Sequence, residues 1–309
     1  MSVAVFGSIN MDVIAYLDRL PKPGETLHGS SYKMGLGGKG ANQAVAARKL
    51  GNDVIFIGRT GADSFGDAAR AELTSYDVDL AGIRRDDTSA TGIAIIKVGE
   101  SGQNMISVIA GANAAVDASD AAAAAGDLAR CRVLLLQLEV PLKASLAAAK
   151  ILRAHQGTVI LDPAPAPKEP LPTEVIAAID IVTPNESEAA GLLGWQPATP
   201  EDGLAAAREL KAKGFATAVV KLGAKGVAFS GPAAEGFVPP FKVKAIDTVA
   251  AGDSFNGGLA SALDDGKPLA EAVRFAAACG ALSTTKKGAS AAAPTRAEIE
   301  AFLGKVSAS

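Results

Sequence analysis

The sequence predicts an α/β protein whose mostly parallel β-sheet is covered by helices on both faces and carries a small β lid. Three observations point there. Short β-branched or apolar runs alternate along the chain with longer Ala-rich stretches. The runs are continuously apolar rather than alternating, as strands buried on both faces must be. Two segments, 12 to 34 and 88 to 110, break the rhythm with strand-like stretches that no helix separates.

Taken in order, Val3-Ala4-Val5-Phe6 is the first strand, and the stretch 12 to 34 supplies the first part of the lid. A helix is expected over 39 to 50, a strand at Val54-Ile55-Phe56-Ile57, and a helix over 63 to 75. The lid resumes with alternating strands over Thr91 to Val98 and Asn104 to Ile109. Beyond an Ala-rich filler at 121 to 125, the strand Val133-Leu134-Leu135-Leu136 precedes a helix over 142 to 155. Val159-Ile160-Leu161, Ile179-Asp180-Ile181-Val182 and Ala218-Val219-Val220 complete the strands, with a helix over 201 to 214. A helix is also expected to begin at Ser254, with Asp253 as its N-cap. The whole chain, 1 to 309, reads as one domain with the lid strands inserted. In such a sheet, ligands belong at the carboxyl ends of the strands. An edge-rich lid needs covering, and a partner's lid is one way to cover it.

Composition narrows the partner. The net charge is −3 and no Lys/Arg block stands out, so no electrostatic footprint for nucleic acid or an anionic membrane is present. A small molecule is the expected ligand. Cys131 and Cys279 are too few for a disulfide framework and sit in apolar stretches, as buried free thiols do. The chain runs from Met1 straight into a strand without a basic leader, and no apolar run approaches the roughly 18 residues of a membrane span. The cytoplasm is the expected compartment.

Two motifs mislead. Gly35-Leu36-Gly37-Gly38-Lys39-Gly40 satisfies G-x-G-x-x-G, but the first strand and turn lie near residue 7, and the next strand ends on Gly58 and Arg59 rather than on an acidic ribose ligand. Gly252-Asp253-Ser254 resembles a hydrolase nucleophile. A serine nucleophile needs a histidine base, and the two histidines, His28 and His155, stand in no catalytic pattern. The chain also has no P-loop motif.

Two glycine-rich signals remain. Gly37-Gly38-Lys39-Gly40-Ala41-Asn42 permits close backbone approach to a ligand, supplies a cation and ends in an amide suited to hydroxyls; a tight strand-to-helix turn would read the same way. Ala250-Ala251-Gly252 leaves consecutive N–H groups bare at a helix start, a geometry that attracts phosphate.

Together with Gly7-Ser8-Ile9-Asn10-Met11-Asp12 and Thr183-Pro184-Asn185-Glu186-Ser187-Glu188, these two runs stand in the order of the ribokinase-like (PfkB-type) carbohydrate kinases. The chain resembles the ribokinase branch of that family over nearly its whole length. The resemblance implies a three-layer α/β/α fold, a β lid that closes over a sugar and often joins two subunits, and transfer of phosphate from ATP to the 5-hydroxyl of D-ribose. A kinase of 2-deoxyribose, another sugar or a nucleoside is the alternative; a silent sugar-binding regulator is a further one, disfavoured by the intact Asp253 and N-x-x-E.

Carried over by position, Asp253 matches the general base and Ala250, Ala251 and Gly252 the anion hole. Asn10, Asp12, Gly38, Lys39, Asn42 and Glu139 match ribose contacts. Asn185, Lys221, Gly223, Ala224, Gly226 and Gly252 match the nucleotide side, with Glu188 organising Mg²⁺ through water. An activating monovalent cation, K⁺, would sit by Asp247, Val249, Ser283, Lys286, Gly288 and Ala292. Three positions depart from the family pattern: Lys221 stands where Thr is frequent, Ala250 where Gly is usual in the wider family, and Ala292 where Ser is familiar.

Overall fold

The computed structural model describes residues 2–307. Its strands are β1 (Ser2–Phe6), β2 (Asn10–Leu17), β3 (Ser31–Gly37), β4 (Asp53–Gly61), β5 (Ile83–Asp86), β6 (Gly92–Gly99), β7 (Asn104–Ile109), β8 (Val133–Leu136), β9 (Thr158–Leu161), β10 (Ile181–Val182), β11 (Thr217–Lys221), β12 (Val227–Ser230) and β13 (Glu235–Val238). The helices are α1 (Lys39–Lys49), α2 (Ser64–Ser75), α3 (Ala118–Ala123), α4 (Ala125–Leu128), α5 (Leu142–Ala154), α6 (Thr173–Ala178), α7 (Glu186–Leu193), α8 (Pro200–Ala212), α9 (Ala251–Asp264), α10 (Leu269–Ser283) and α11 (Arg296–Ser307).

Nine strands form the main sheet in the order β13-β12-β11-β10-β9-β8-β1-β4-β5, parallel except for the β11–β12 and β12–β13 pairs. The three-layer arrangement follows from the twofold period of a strand. Val3 and Val5 of β1 pack with Ala44 of α1, Leu259 of α9 and Ala276 of α10. Ala4 and Phe6 of the same strand pack on the opposite side with Ala148 and Leu152 of α5 and Leu210 of α8. Each fully buried side chain of this size contributes about 1.5–3 kcal/mol. Local signals support the helices: Asp63 caps α2 by accepting from Gly66 N at 2.8 Å, and a Thr199–Asp202 capping box with Pro200 at the first position starts α8.

Four strands, in the order β3-β2-β6-β7, make the lid. Its register places Asp12, Ile14, Ile96, Ile106 and Val108 on one face and Tyr32, Met34, Ile95, Met105 and Ile109 on the other. The lid strands fall within the two segments that broke the sequence rhythm, apart from a few residues at their ends. The strand expected over 179 to 182 shortens to Ile181–Val182. Asp180 explains this, because its carboxylate accepts from Val159 N at 2.8 Å.

Helix α9 begins earlier than the sequence suggested. Its N-cap is Ala250, and Asp253 lies inside the first turn, where its side chain bonds to neighbouring helix α1 and not to its own helix. The N-cap expectation for Asp253 is therefore corrected. Ala250 has φ of 56°, a left-handed conformation that costs a residue with a Cβ roughly 1–2 kcal/mol, which accounts for the glycine usual there. Both histidines are exposed and both cysteines are buried and free. Among the described residues, no helix is long and apolar enough to cross a membrane.

Candidate active site

The site lies where β1, β8, β9 and β11 end and α1 and α9 begin. The turn after β1 can enter it because glycines leave room. A Cβ on Gly40 would come within 2.5 Å of Ser8 N, and one on Gly38, whose φ is 87°, within 2.9 Å of Asn10 N. The glycine run is thus a close approach of two backbones, and the strand preceding it, β3, belongs to the lid. That placement disposes of the dinucleotide reading.

Ser8 Oγ donates to Glu139 Oε2 at 2.5 Å, and Lys39 N donates to the same oxygen at 2.9 Å. Glu139, just past β8, therefore holds the N-terminus of α1, whose cap residue Gly38 has no side chain to do so. Asn10 is buried and accepts from Asn113 Nδ2 at 2.7 Å, while Asn113 also accepts from Ile9 N and donates to Ile9 O. Asn113 thus braces the point where the lid leaves β1. The Asp12 carboxylate reaches so close to Gly37 that a Cβ there would lie 2.0 Å from Oδ1.

Asp253 is buried at 5% exposure. Its carboxylate accepts from Asn42 Nδ2 at 3.0 Å and from Gln43 Nε2 at 3.1 Å. Asn42 is fixed in turn by Ser290 Oγ at 2.6 Å, and Gln43 by Gln137 Nε2 at 2.7 Å. Desolvation pushes the Asp253 carboxyl up to about 6, against the pull of Lys39. Asp12 is likewise raised to about 6, by burial and then by the charges of Glu139, Asp253 and Glu72. Burial opposes the charge on Lys39, yet the fields of Asp253, Asp162, Glu139 and Glu188 more than offset this and hold its ammonium firmly protonated. Lys39 is the cation at the centre of four carboxylates.

On the other flank, Asn185 and Glu188 form a capping box that starts α7. Asn185 N and Nδ2 donate to the two Glu188 oxygens at 2.8 and 2.9 Å, and Asn185 Oδ1 accepts from Glu188 N at 2.9 Å. Burial raises the Glu188 carboxyl, with Lys221 acting in the opposite direction. Lys221 bridges to Asn185 through the backbone and leads into the turn 223 to 226, where Gly223 and Gly226 take φ of 54° and 114°. In the first turn of α9 the amides of Gly252 and Asp253 have no intrahelical acceptor, as at any helix start. Ala251 N makes a 3.3 Å bond to Thr248 O.

Two loops meet just before α9. Asp247 accepts from Val249 N and from Gly288 N, each at 3.0 Å, tying the segment before α9 to the one after α10. Ser283 and Ala292 are buried there, whereas the Lys286 ammonium turns outward to Glu298 at 2.6 Å.

The structure therefore gathers Asp12, Lys39, Asn42, Glu139, Asn185, Glu188, Lys221, Gly252 and Asp253 from segments far apart in sequence. Gly223, Ala224 and Gly226 follow Lys221 in the adjoining turn, and Asp247 ties the loop before α9 to Gly288. Sequence reasoning missed Ser8, Gln43, Asn113, Gln137, Asp162 and Ser290. Asp162 had a usable signal: it follows β9, as Glu139 follows β8.

A buried carboxylate at a helix start, beside bare amides and a lysine, is the arrangement that phosphoryl transfer to a hydroxyl requires. Residues 1–296 match the pfkB family carbohydrate kinases. The chain belongs to that family. Among pfkB relatives, the ribokinase of Haemophilus influenzae is 41% identical over 302 residues, covering 98% of each chain. A deoxyribokinase of Salmonella typhi is 36% identical, covering 98% of this chain and 99% of its own. The structure of Arabidopsis thaliana ribokinase complexed with ribose and ATP superposes with a TM-score of 0.89 at 33% identity, covering 97% of this chain and 98% of its own.

Proposed function

We infer that the protein phosphorylates D-ribose at its 5-hydroxyl, using ATP. The observation that carries this reading is the pairing of buried Asp253 with the bare amides of the first turn of α9, in a chain 41% identical to a ribokinase. Asp253 takes the proton of the 5-hydroxyl. The freed oxygen bonds to the γ-phosphorus, and the bond from that phosphorus to the β–γ bridging oxygen breaks, releasing ADP. The amides of 250 to 252 and the Lys39 ammonium offset the charge that spreads over the transferred group. Asp12, Glu139, Asn10 and Asn42 are the hydroxyl partners for the sugar, with the Gly38 backbone close by. Asn185, Lys221, Gly223, Ala224 and Gly226 line the nucleotide side.

Mg²⁺ fits this donor set as an ion carried on the ATP phosphates. Both Glu188 oxygens already accept from Asn185, and no group of three or more metal-ligating side chains exists among the described residues. Glu188 would therefore hold the ion through water. Bound there, Mg²⁺ supplies neutralisation of phosphate charge. For K⁺, the support is the contact of the Asp247 and Gly288 loops immediately behind the anion hole. Two subunits joining through their lids would cover Tyr32, Met105, Ile106 and Val108, each more than half exposed in the single chain. ATP as a substrate and two free cysteines suit the cytoplasm.

The deoxyribokinase relative favours one second reading, a kinase of 2-deoxyribose. A coupled ADP-release assay with ribose, 2-deoxyribose, fructose and adenosine decides between them. Ribose should give the highest kcat/KM. A higher value for 2-deoxyribose establishes the second reading, and turnover of neither pentose overturns both.

A further inference from the structure

Lys221 is more than a lining residue of the nucleotide side. Its ammonium is mostly buried, with the side chain 12% exposed, and it pairs at 3.0 Å with Asp162 Oδ1, a carboxylate that is 2% exposed. A Cβ on Gly252 would lie 3.5 Å from Lys221 Nζ, so the charge stands directly against the bare amides of α9. It also sits 6.0 Å from the centroid of the Phe255 ring, one turn further along that helix. The second Asp162 oxygen accepts from Gln43 Nε2 at 3.0 Å, and that same nitrogen donates to Asp253 at 3.1 Å. One amide group thus joins the base to a second buried carboxylate, and Lys221 is the cation hydrogen-bonded to that carboxylate.

We propose that Lys221, held by Asp162, is a catalytic cation that contacts the phosphoryl group in transit, and that Asp162 is its positioning residue. The proposal rests on the kinase reading above and deepens it. The chemistry is direct: an ammonium beside the helix amides adds a full positive charge where the amides offer only partial ones. Burying a lysine at this point is costly unless it is paired, and Asp162 supplies the pairing before any phosphate arrives. As the phosphoryl group approaches, the ammonium, which has three donors, can keep Asp162 on one and turn another to a phosphate oxygen. The pair is also balanced toward Asp253. Asp162 disfavours ionisation of the base and Lys39 favours it, while Lys221 reaches the base only through its 3.0 Å pairing with Asp162, Glu188 and Asp12 being the other charged groups near it.

Three variants test this: Lys221→Thr, Asp162→Asn, and the two combined. For Lys221→Thr the expected result is a kcat lower by about 10 to 10² with KM for ribose within threefold, as loss of an interaction made in the transition state requires. Its acid limb in kcat/KM should move to higher pH, because Asp162 is left unneutralised beside Asp253. The double variant should return that limb toward its original position without restoring kcat. A purely structural lysine would not produce this split, and melting temperatures by circular dichroism check that each variant folds. A folded Lys221→Thr protein with kcat within threefold of the parent overturns the proposal, as does a double variant whose kcat recovers fully. If the unmodified protein turns over no sugar, the kinase reading itself falls, which separates the two failures.

Discussion

At the scale of single residues, Asp253 concentrates the chemistry and the sharpest expectations. Replacing Asp253 by Asn keeps the volume but removes the proposed base. Asp253→Asn should bind ribose and ATP within a few-fold by calorimetry and lose at least about 10² in kcat; near-normal turnover would refute the assignment. The acid limb of kcat/KM carries a second expectation. Asp253 and Asp12 are both raised to about 6, and the proposed mechanism needs both ionised, one to accept the proton and the other to bind hydroxyls. Because protonation inactivates either group, activity should fall as pH drops through about 6. The decline in log(kcat/KM) should be steeper than one unit per pH unit where the two titrations overlap. A limb centred near 4 would contradict the desolvation of the site. Asp253 was legible in the sequence because small residues precede it. Gln43 was not, since nothing in an amide following Asn42 announces that it meets Asp162 and Asp253 across the core; Asp162 offered only its place directly after β9.

At the scale of elements, the strands and helices of the main layers were legible because their periods are clean. The continuous apolar runs of β1, β8 and β9 and the caps of α2 and α8 leave little choice. The short edge strands β5 and β13 were not, because four residues with mixed exposure carry no period. Lid strands β2, β3, β6 and β7 have few buried residues toward their outer ends, so hydrogen exchange should report sugar binding there first. Ribose should slow exchange in these strands more than in β9; uniform protection would count against a closing lid. The Asp247 loop gives another expectation. If a cation at its carbonyls fixes the amides of 250 to 252, kcat should be higher in potassium than in sodium or tetramethylammonium at matched ionic strength. Asp247→Ala, which unties the loop from Gly288, should abolish the difference. Equal turnover in all three salts would remove the cation while leaving the transfer chemistry intact.

At the scale of the whole molecule, the lid is the part whose apolar surface the single chain leaves exposed. Its β7 is exposed along its whole length, and apolar side chains stand on both faces of a sheet only four strands wide. Such a surface is where the proposed subunit interface would lie. Light scattering after size exclusion should give twice the 31.0 kDa chain mass. Met105→Lys and Ile106→Lys, on opposite faces of the lid, show which face joins the subunits. The variant on the joining face should shift the mass to that of one chain, and a parent protein already at 31.0 kDa would exclude the dimer. Whether subunits join was readable only as a need for cover, because an unpaired edge says that something must sit on it and not what.

One connection in the chain has a thermodynamic meaning of its own. Lid strand β3 ends at Gly37 and α1 begins at Lys39, so a single residue, Gly38, separates the lid sheet from the helix that carries Lys39, Asn42 and Gln43. There is no slack in which a lid displacement could dissipate. Any shift of β3 on sugar binding reaches the backbone of Lys39, and through it the charges that meet the nucleotide. If ribose closes the lid, whatever factor it thereby adds to the affinity for ATP, ATP must return to ribose, since linkage between two sites is reciprocal.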